Sequence, residues 1–95
     1  MGRIYVGTVI RIQATFKDVD GIARDPATVT LKVRKPSGTV VTVTGIQHPQ
    51  PGSGVYFADV MMDEAGVWRA EWSSTGNPTV VDSIDFAVYE RPISS

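Results

Sequence analysis

The sequence predicts an all-β protein, a sandwich of two antiparallel sheets with about seven strands and no disulfide. Three observations carry this prediction. Val and Thr are abundant, Gly or Pro returns about every ten residues, and several stretches alternate apolar with polar residues. The strands follow one another through short turns rather than helical crossovers, which excludes a parallel sheet.

The first two strands are expected around "RIYV", residues 3–6, and in "TVIRIQATF", residues 8–16. In the second strand the apolar side chains occupy every other position, so that one face points into a core. These are Ile10, Ile12, Ala14 and Phe16. "KDVDG", residues 17–21, and "RDPAT", residues 24–28, then supply the Asp, Gly and Pro that reverse a chain.

The next two strands form a predicted hairpin. "TVTLKVRK", residues 28–35, places Val29, Leu31 and Val33 on one face. "KPSGT", residues 35–39, fits a type I turn completed by Gly38 in a left-handed conformation, so "TVVTVT" returns antiparallel. Residues 45–54, "GIQHPQPGSG", lack periodicity and predict an exposed loop that carries a surface histidine, His48.

The last three strands are "VYFADVMM", "VWRAEW" and "SIDFAVYE", with turns between them. Their inward faces are expected to hold Tyr56, Ala58, Val60, Met62, Trp68, Ala70, Trp72, Ile84, Phe86 and Val88.

The two tryptophans could form either an exposed platform for a ligand such as a sugar or part of a packed core. Trp68, Ala70 and Trp72 alternate with Val67, Arg69 and Glu71, so both indoles share one face of a strand. A sugar platform also needs hydroxyl-binding polar residues on that face, and it has none, so we expect core packing, with Trp72 the more exposed indole. The predicted core is completed by Phe16, Leu31 and Phe86.

The composition excludes several function classes. Nine Lys and Arg against ten Asp and Glu, without a charge run, give no basic surface for nucleic acid or for an anionic membrane. Without cysteine there is neither a disulfide nor thiolate chemistry. No signal peptide and no spanning apolar segment occur, so we expect a complete, soluble, single-domain product made in the cytoplasm.

No residue pattern supports catalysis. Asp18, Asp20 and Asp25 resemble a calcium loop but lack its final Glu, and turn formation explains them better. Adjacent Asp63 and Glu64 point apart, and Asp63 is expected to cap a turn with backbone hydrogen bonds. One histidine cannot assemble a triad. We expect no enzymatic activity, no metal and no cofactor.

The stretch "MDEAGVWRAEW", residues 62–72, resembles the D-x-x-G-x-(W/Y) corner of bacterial and viral immunoglobulin-like domains. Across residues 7–89 the order "GTVIRIQATFKDVDG", "DPATVTLKVRKPSGTV", "GVYFADVMMDEAGVWRAEW" and "DFAVYE" resembles small immunoglobulin-like proteins of tailed-bacteriophage virions. The sequence departs from antibody-type domains, because Ala70 stands near the place of their second cysteine.

The resemblance implies a structural role in the virion. The expected function is a capsid decoration or cement subunit, present in many copies and assembled in the host bacterial cytoplasm, with capsid or other virion proteins as partners. A neck or tail module and a carbohydrate-binding host-adhesion domain are the alternatives. The core would span residues 7–89, with terminal arms at 1–6 and 90–95. Contacts are expected from exposed apolar, aromatic and Arg residues near the two ends, namely Arg3, Ile4, Tyr5, Tyr89, Arg91, Pro92 and Ile93.

Overall fold

A computed structural model describes residues 3–91 and contains seven β-strands. In chain order the strands are β1 (Ile4–Tyr5), β2 (Val9–Thr15), β3 (Thr28–Arg34), β4 (Val40–Val43), β5 (Val55–Met61), β6 (Gly66–Thr75) and β7 (Val81–Tyr89). The prediction of an all-β chain with seven strands in two sheets is confirmed. Within residues 3–91 no helix is long and apolar enough to cross a membrane.

The two sheets are unequal in size. Five strands form one sheet in the order β1-β7-β6-β3-β4, and β2 pairs with β5 alone in the other. All pairs are antiparallel except β1 with β7, where Ile4 lies opposite Val88 and Tyr5 opposite Tyr89. Because β1 joins the large sheet, residues 4 and 5 of the expected N-terminal arm belong to the folded body.

The core lies between the sheets, where the alternating apolar faces meet. Leu31, Met62, Trp68 and Val33 are the largest fully buried side chains, and Phe16 packs edge-on against Trp72 with ring centroids 6.3 Å apart. Period-two patterns in the sequence therefore select the buried residues correctly along β2, β3, β5 and β6.

Two tight turns depend on glycine. The predicted β3–β4 turn is closed by hydrogen bonds from Lys35 N to Thr39 O and from Gly38 N to Lys35 O, with Gly38 at φ +96°. Gly54 enters β5 at φ +70°, and a Cβ on it would lie 2.5 Å from the Phe16 carbonyl oxygen. Only glycine fits both that conformation and that contact.

The inward face of β7 departs from the predicted pattern. Val88 is buried and Phe86 is half-buried against Trp68, but Ile84 is 52% exposed. The reason is the small second sheet, because two strands cannot cover all five strands of the larger one. The core face of β7 is thus left open beside β2.

The 45–54 loop is held more firmly than the sequence suggested. Gln47 and Phe57 exchange backbone hydrogen bonds of 2.7 and 3.1 Å, which adds a bridge to the outer edge of β5. His48 is half-buried and stacks on Tyr56 with the ring centroids 4.0 Å apart. The expected exposed loop with a surface histidine is observed, but the ring is partly covered by its contacts with neighbouring residues.

Candidate interaction surface

Two tyrosines lie side by side at one corner of the large sheet. Tyr5 and Tyr89 are register partners in the parallel β1–β7 pair and share its outer face, because the neighbouring Val88 points into the core. Tyr89 is 43% exposed and Tyr5 is half-buried. The short β1 brings these two residues to neighbouring strand positions although they are separated by almost the whole chain.

Arginine and small apolar residues extend this surface. The Arg3 guanidinium lies 4.8 Å from the centroid of the Tyr89 ring, in cation–π contact. Val67 and Ala87 are register partners on the same outer face, and Val67 is 65% exposed. We call the residues Arg3, Tyr5, Val67, Ala87 and Tyr89 the Tyr5–Tyr89 patch.

The backbone beneath the patch is held from two sides. Val6 N donates to Tyr89 O at 3.0 Å, and the Arg91 Nε donates to Val6 O at 3.1 Å. The Arg91 guanidinium lies directly against Gly7, where a Cβ has no room. Arg91 therefore connects the segment after β7 to the segment after β1.

The sequence-predicted contact residues divide into three groups. Arg3, Tyr5 and Tyr89 lie in the patch, and Arg91 borders it. Ile4 packs against the core cluster instead, because it faces inward beside Val88. Pro92 and Ile93 lie outside the described residues.

The sheet face next to the patch is polar and charge-paired. Arg69 binds Asp85 through two hydrogen bonds of 2.8 and 3.1 Å, and this guanidinium holds the pKa of Asp85 below its usual range. Both side chains are about half exposed, so the pair contributes little to stability. It gives the patch a polar rim, as protein interfaces commonly have.

Asp18, one of the acidic residues singled out from the sequence, stabilises a turn. Asp18 accepts the backbone N–H groups of Asp20 and Ile22, and its pKa is lowered first by its contact with Arg24. Across residues 3–91, no three His, Asp or Glu side chains are grouped as metal ligands.

The adjacent carboxylates at the β5–β6 turn reach across to the β3–β4 turn. Asp63 binds Lys35 Nζ at 2.8 Å, and Glu64 accepts hydrogen bonds from Ser37. They point to different partners, so they do not flank a common substrate position.

His48 and Asp25 join two loops. His48 Nδ1 lies 2.7 Å from Val55 O, and Nε2 lies 3.0 Å from an Asp25 carboxylate oxygen, which forms an ion pair when the ring is protonated. Asp25 also accepts the N–H groups of Gly52 and Gly54, and the Gly52 bond is the largest cause of its lowered pKa. The Val55 carbonyl and Asp25 raise the pKa of His48.

The tryptophans line the interior. Trp68 has no exposed surface and donates from Nε1 to the Glu64 carbonyl oxygen at 2.9 Å. Trp72 is 5% exposed, and its buried Nε1 has no acceptor among residues 3–91. Neither indole presents a face on which a sugar ring could stack.

Sequence reasoning missed Val67 and Ala87 as patch residues. Their outward direction follows from alternation with Trp68 and Phe86, but only the β6–β7 register brings them together beside Tyr89. Comparisons with protein-family models, curated proteins and solved structures give no match for the chain.

Proposed function

We propose that this protein is an immunoglobulin-like sandwich that acts, without chemistry, as a capsid decoration or cement subunit of a tailed-bacteriophage virion. The observation that supports a binding role is the Tyr5–Tyr89 patch, which combines the exposed ring of Tyr89, a cation–π arginine and apolar residues. Side chains of this kind dominate the energetics of protein interfaces.

The strand arrangement supports the immunoglobulin-like part of the proposal. Gly66 adopts a positive φ of 129° where the penultimate strand begins, and the first aromatic of that strand, Trp68, packs inward. Both features agree with the corner of such domains. The hydrogen bond from Trp68 to Glu64 O fixes the indole to this turn. The phage setting rests on the sequence resemblance, whereas the surface chemistry supports contact with other proteins.

Such a subunit would work by mass action. A protein that binds the assembled shell and not its dissociated parts lowers the free energy of the shell. When many copies each bridge neighbouring capsomers, their individually modest contacts add up to a large stabilisation of the shell. This mechanism needs a rigid scaffold and one adhesive surface, and it needs no pocket for a substrate.

The proposal is tested on phage particles made with and without the gene. We expect particles that lack the protein to assemble and then to lose infectivity faster on heating or osmotic shock, with recovery when purified protein is added. Unchanged head stability together with defective tails would contradict the cement role and support a neck or tail module.

A glycan array tests the remaining alternative, a carbohydrate-binding host-adhesion domain. We expect no binding, since both indoles are in the core. Binding that is lost in Tyr89→Ala would move the function to host adhesion through the patch.

A further inference from the structure

Strand β2 has one paired edge and one open edge. Phe16 N donates to Gly54 O at 2.8 Å and Met62 N donates to Thr8 O at 2.9 Å, so the even-numbered residues of this segment face β5. In an antiparallel ladder the odd-numbered residues between them point their N–H and C=O groups away from the paired strand, here β5. Arg11, Gln13 and Thr15 therefore direct backbone groups to an edge where, within residues 3–91, no strand pairs.

This open edge borders a cleft of about 410 Å³ between the sheets. One wall is the β2 segment from Gln13 to Lys17, and the other is formed by Trp72 and the inward face of the last strand and its approach, with Val80, Asp82 and Ile84. The cleft lies where the two-stranded sheet stops short of β7.

One side chain in the cleft lacks the surroundings that its position calls for. Ile84 is on the core face of β7 and is still 52% exposed. An apolar side chain without cover and a row of free backbone groups thus occur beside one space.

We propose that this cleft binds a single extended segment of a partner polypeptide, which pairs with the open edge of β2 and places alternate apolar side chains over Ile84. The inference rests on the proposed function only in that the partner is another polypeptide. A polypeptide backbone is the ligand that satisfies a row of alternating N–H and C=O groups.

The geometry favours a segment over a second sandwich. Phe16 of the β2 segment packs on Trp72 of β6, so β7 extends past β2 on this side. A second copy approaching edge to edge would meet this protruding strand, whereas one extended chain fits above it. Arg11 does not obstruct the edge, because its guanidinium turns to Asp59 on the outer face with bonds of 2.9 and 3.2 Å.

The test supplies a strand at high local concentration. A segment of about eight residues that alternates Val and Thr is fused to the N-terminus of the full chain through a Gly/Ser linker of about 15 residues, which gives an effective concentration in the millimolar range. Amide hydrogen exchange is then compared with the unfused protein. We expect the amides of Arg11, Gln13 and Thr15, which exchange fast in the unfused protein, to slow at least tenfold.

Three comparisons keep the test specific. A fusion with Pro at alternate positions of the added strand should give no protection, because proline cannot donate. Ile84→Asp should abolish the protection, and the matched Val40→Asp, at an exposed site on the outer face of the large sheet, should retain it. The indole N–H resonance of Trp72 should shift on pairing while that of Trp68 stays in place.

Fast exchange of the three β2 amides in the fused protein, or slow exchange in the protein alone, would overturn the proposal. Protection of Ser83 and Asp85 in place of the β2 amides would also overturn it, since the segment would then pair with β7. The particle-stability experiment is independent of these outcomes, so a failed virion role and a failed cleft are distinguishable.

Discussion

Replacing each tryptophan with phenylalanine should have unequal costs. Both substitutions remove three heavy atoms from a buried ring, which at about 0.8 kcal/mol per buried methylene costs about 2 kcal/mol. Trp68→Phe also loses the 2.9 Å hydrogen bond to Glu64 O, for a total of about 3 kcal/mol. Trp72→Phe removes a buried donor that has no acceptor, and relief of that penalty reduces the cost to about 1 kcal/mol.

Urea unfolding measures this difference directly, because each variant keeps the other tryptophan as a fluorescence probe. The free energy of unfolding of Trp68→Phe should lie about 2 kcal/mol below that of Trp72→Phe, with the same slope against urea concentration. In a domain of this size that corresponds to about 10 °C in Tm. Equal costs, or a larger cost at Trp72, would refute the assignment of hydrogen bonds to the two indoles.

Three further predictions concern the loops. Ser74→Ala should destabilise by about 1 to 3 kcal/mol in urea unfolding, because the buried hydroxyl accepts the Val80 N–H at 3.1 Å; a cost near zero would show that water replaces it. Gly54→Ala should cost clearly more than the 1 to 2 kcal/mol of a left-handed backbone, whereas Gly38→Ala, with open space around it, should cost only that; equal costs would rule out the clash. The pKa of His48 in the folded protein is raised above its ordinary value of 6.5. The protonated ring therefore stabilises the fold fully below pH 6.5, and this contribution is lost as the pH rises through the pKa of the folded state. An NMR titration should show the raised pKa, and in His48→Gln the stability should no longer fall over that pH range.

Period-two alternation allows most of the fold to be predicted. It places Leu31, Val33, Trp68 and Ala70 in the core, since each strand with one buried face has the same period wherever its partner lies. The turn at Gly38 is equally local, because its residue types determine the backbone conformation. The size of the second sheet has no such local origin, and so the exposure of Ile84 could not be predicted.

The candidate site was predictable only in part. The types of Arg3, Tyr5 and Tyr89 marked them as contact residues, but nothing local distinguishes an outward tyrosine from an inward isoleucine such as Ile4. The parallel register of β1 on β7 decides that, and pairing between residues more than 80 positions apart is a tertiary property. The contact of His48 with Asp25 arises in the same way, from two loops that meet in the folded chain.

The central claim, that this is a binding subunit acting through the Tyr5–Tyr89 patch, is tested most directly by co-sedimentation with phage heads that lack the protein. Wild-type protein should pellet with the heads, and Tyr89→Asp should remain in the supernatant while its thermal unfolding stays close to that of wild type, since Tyr89 is 43% exposed. Val81→Asp, at an exposed site on the same face of the large sheet but at the far end of β7, should pellet like wild type. Wild-type protein that stays in solution, or Tyr89→Asp that pellets as wild type does, would contradict the claim.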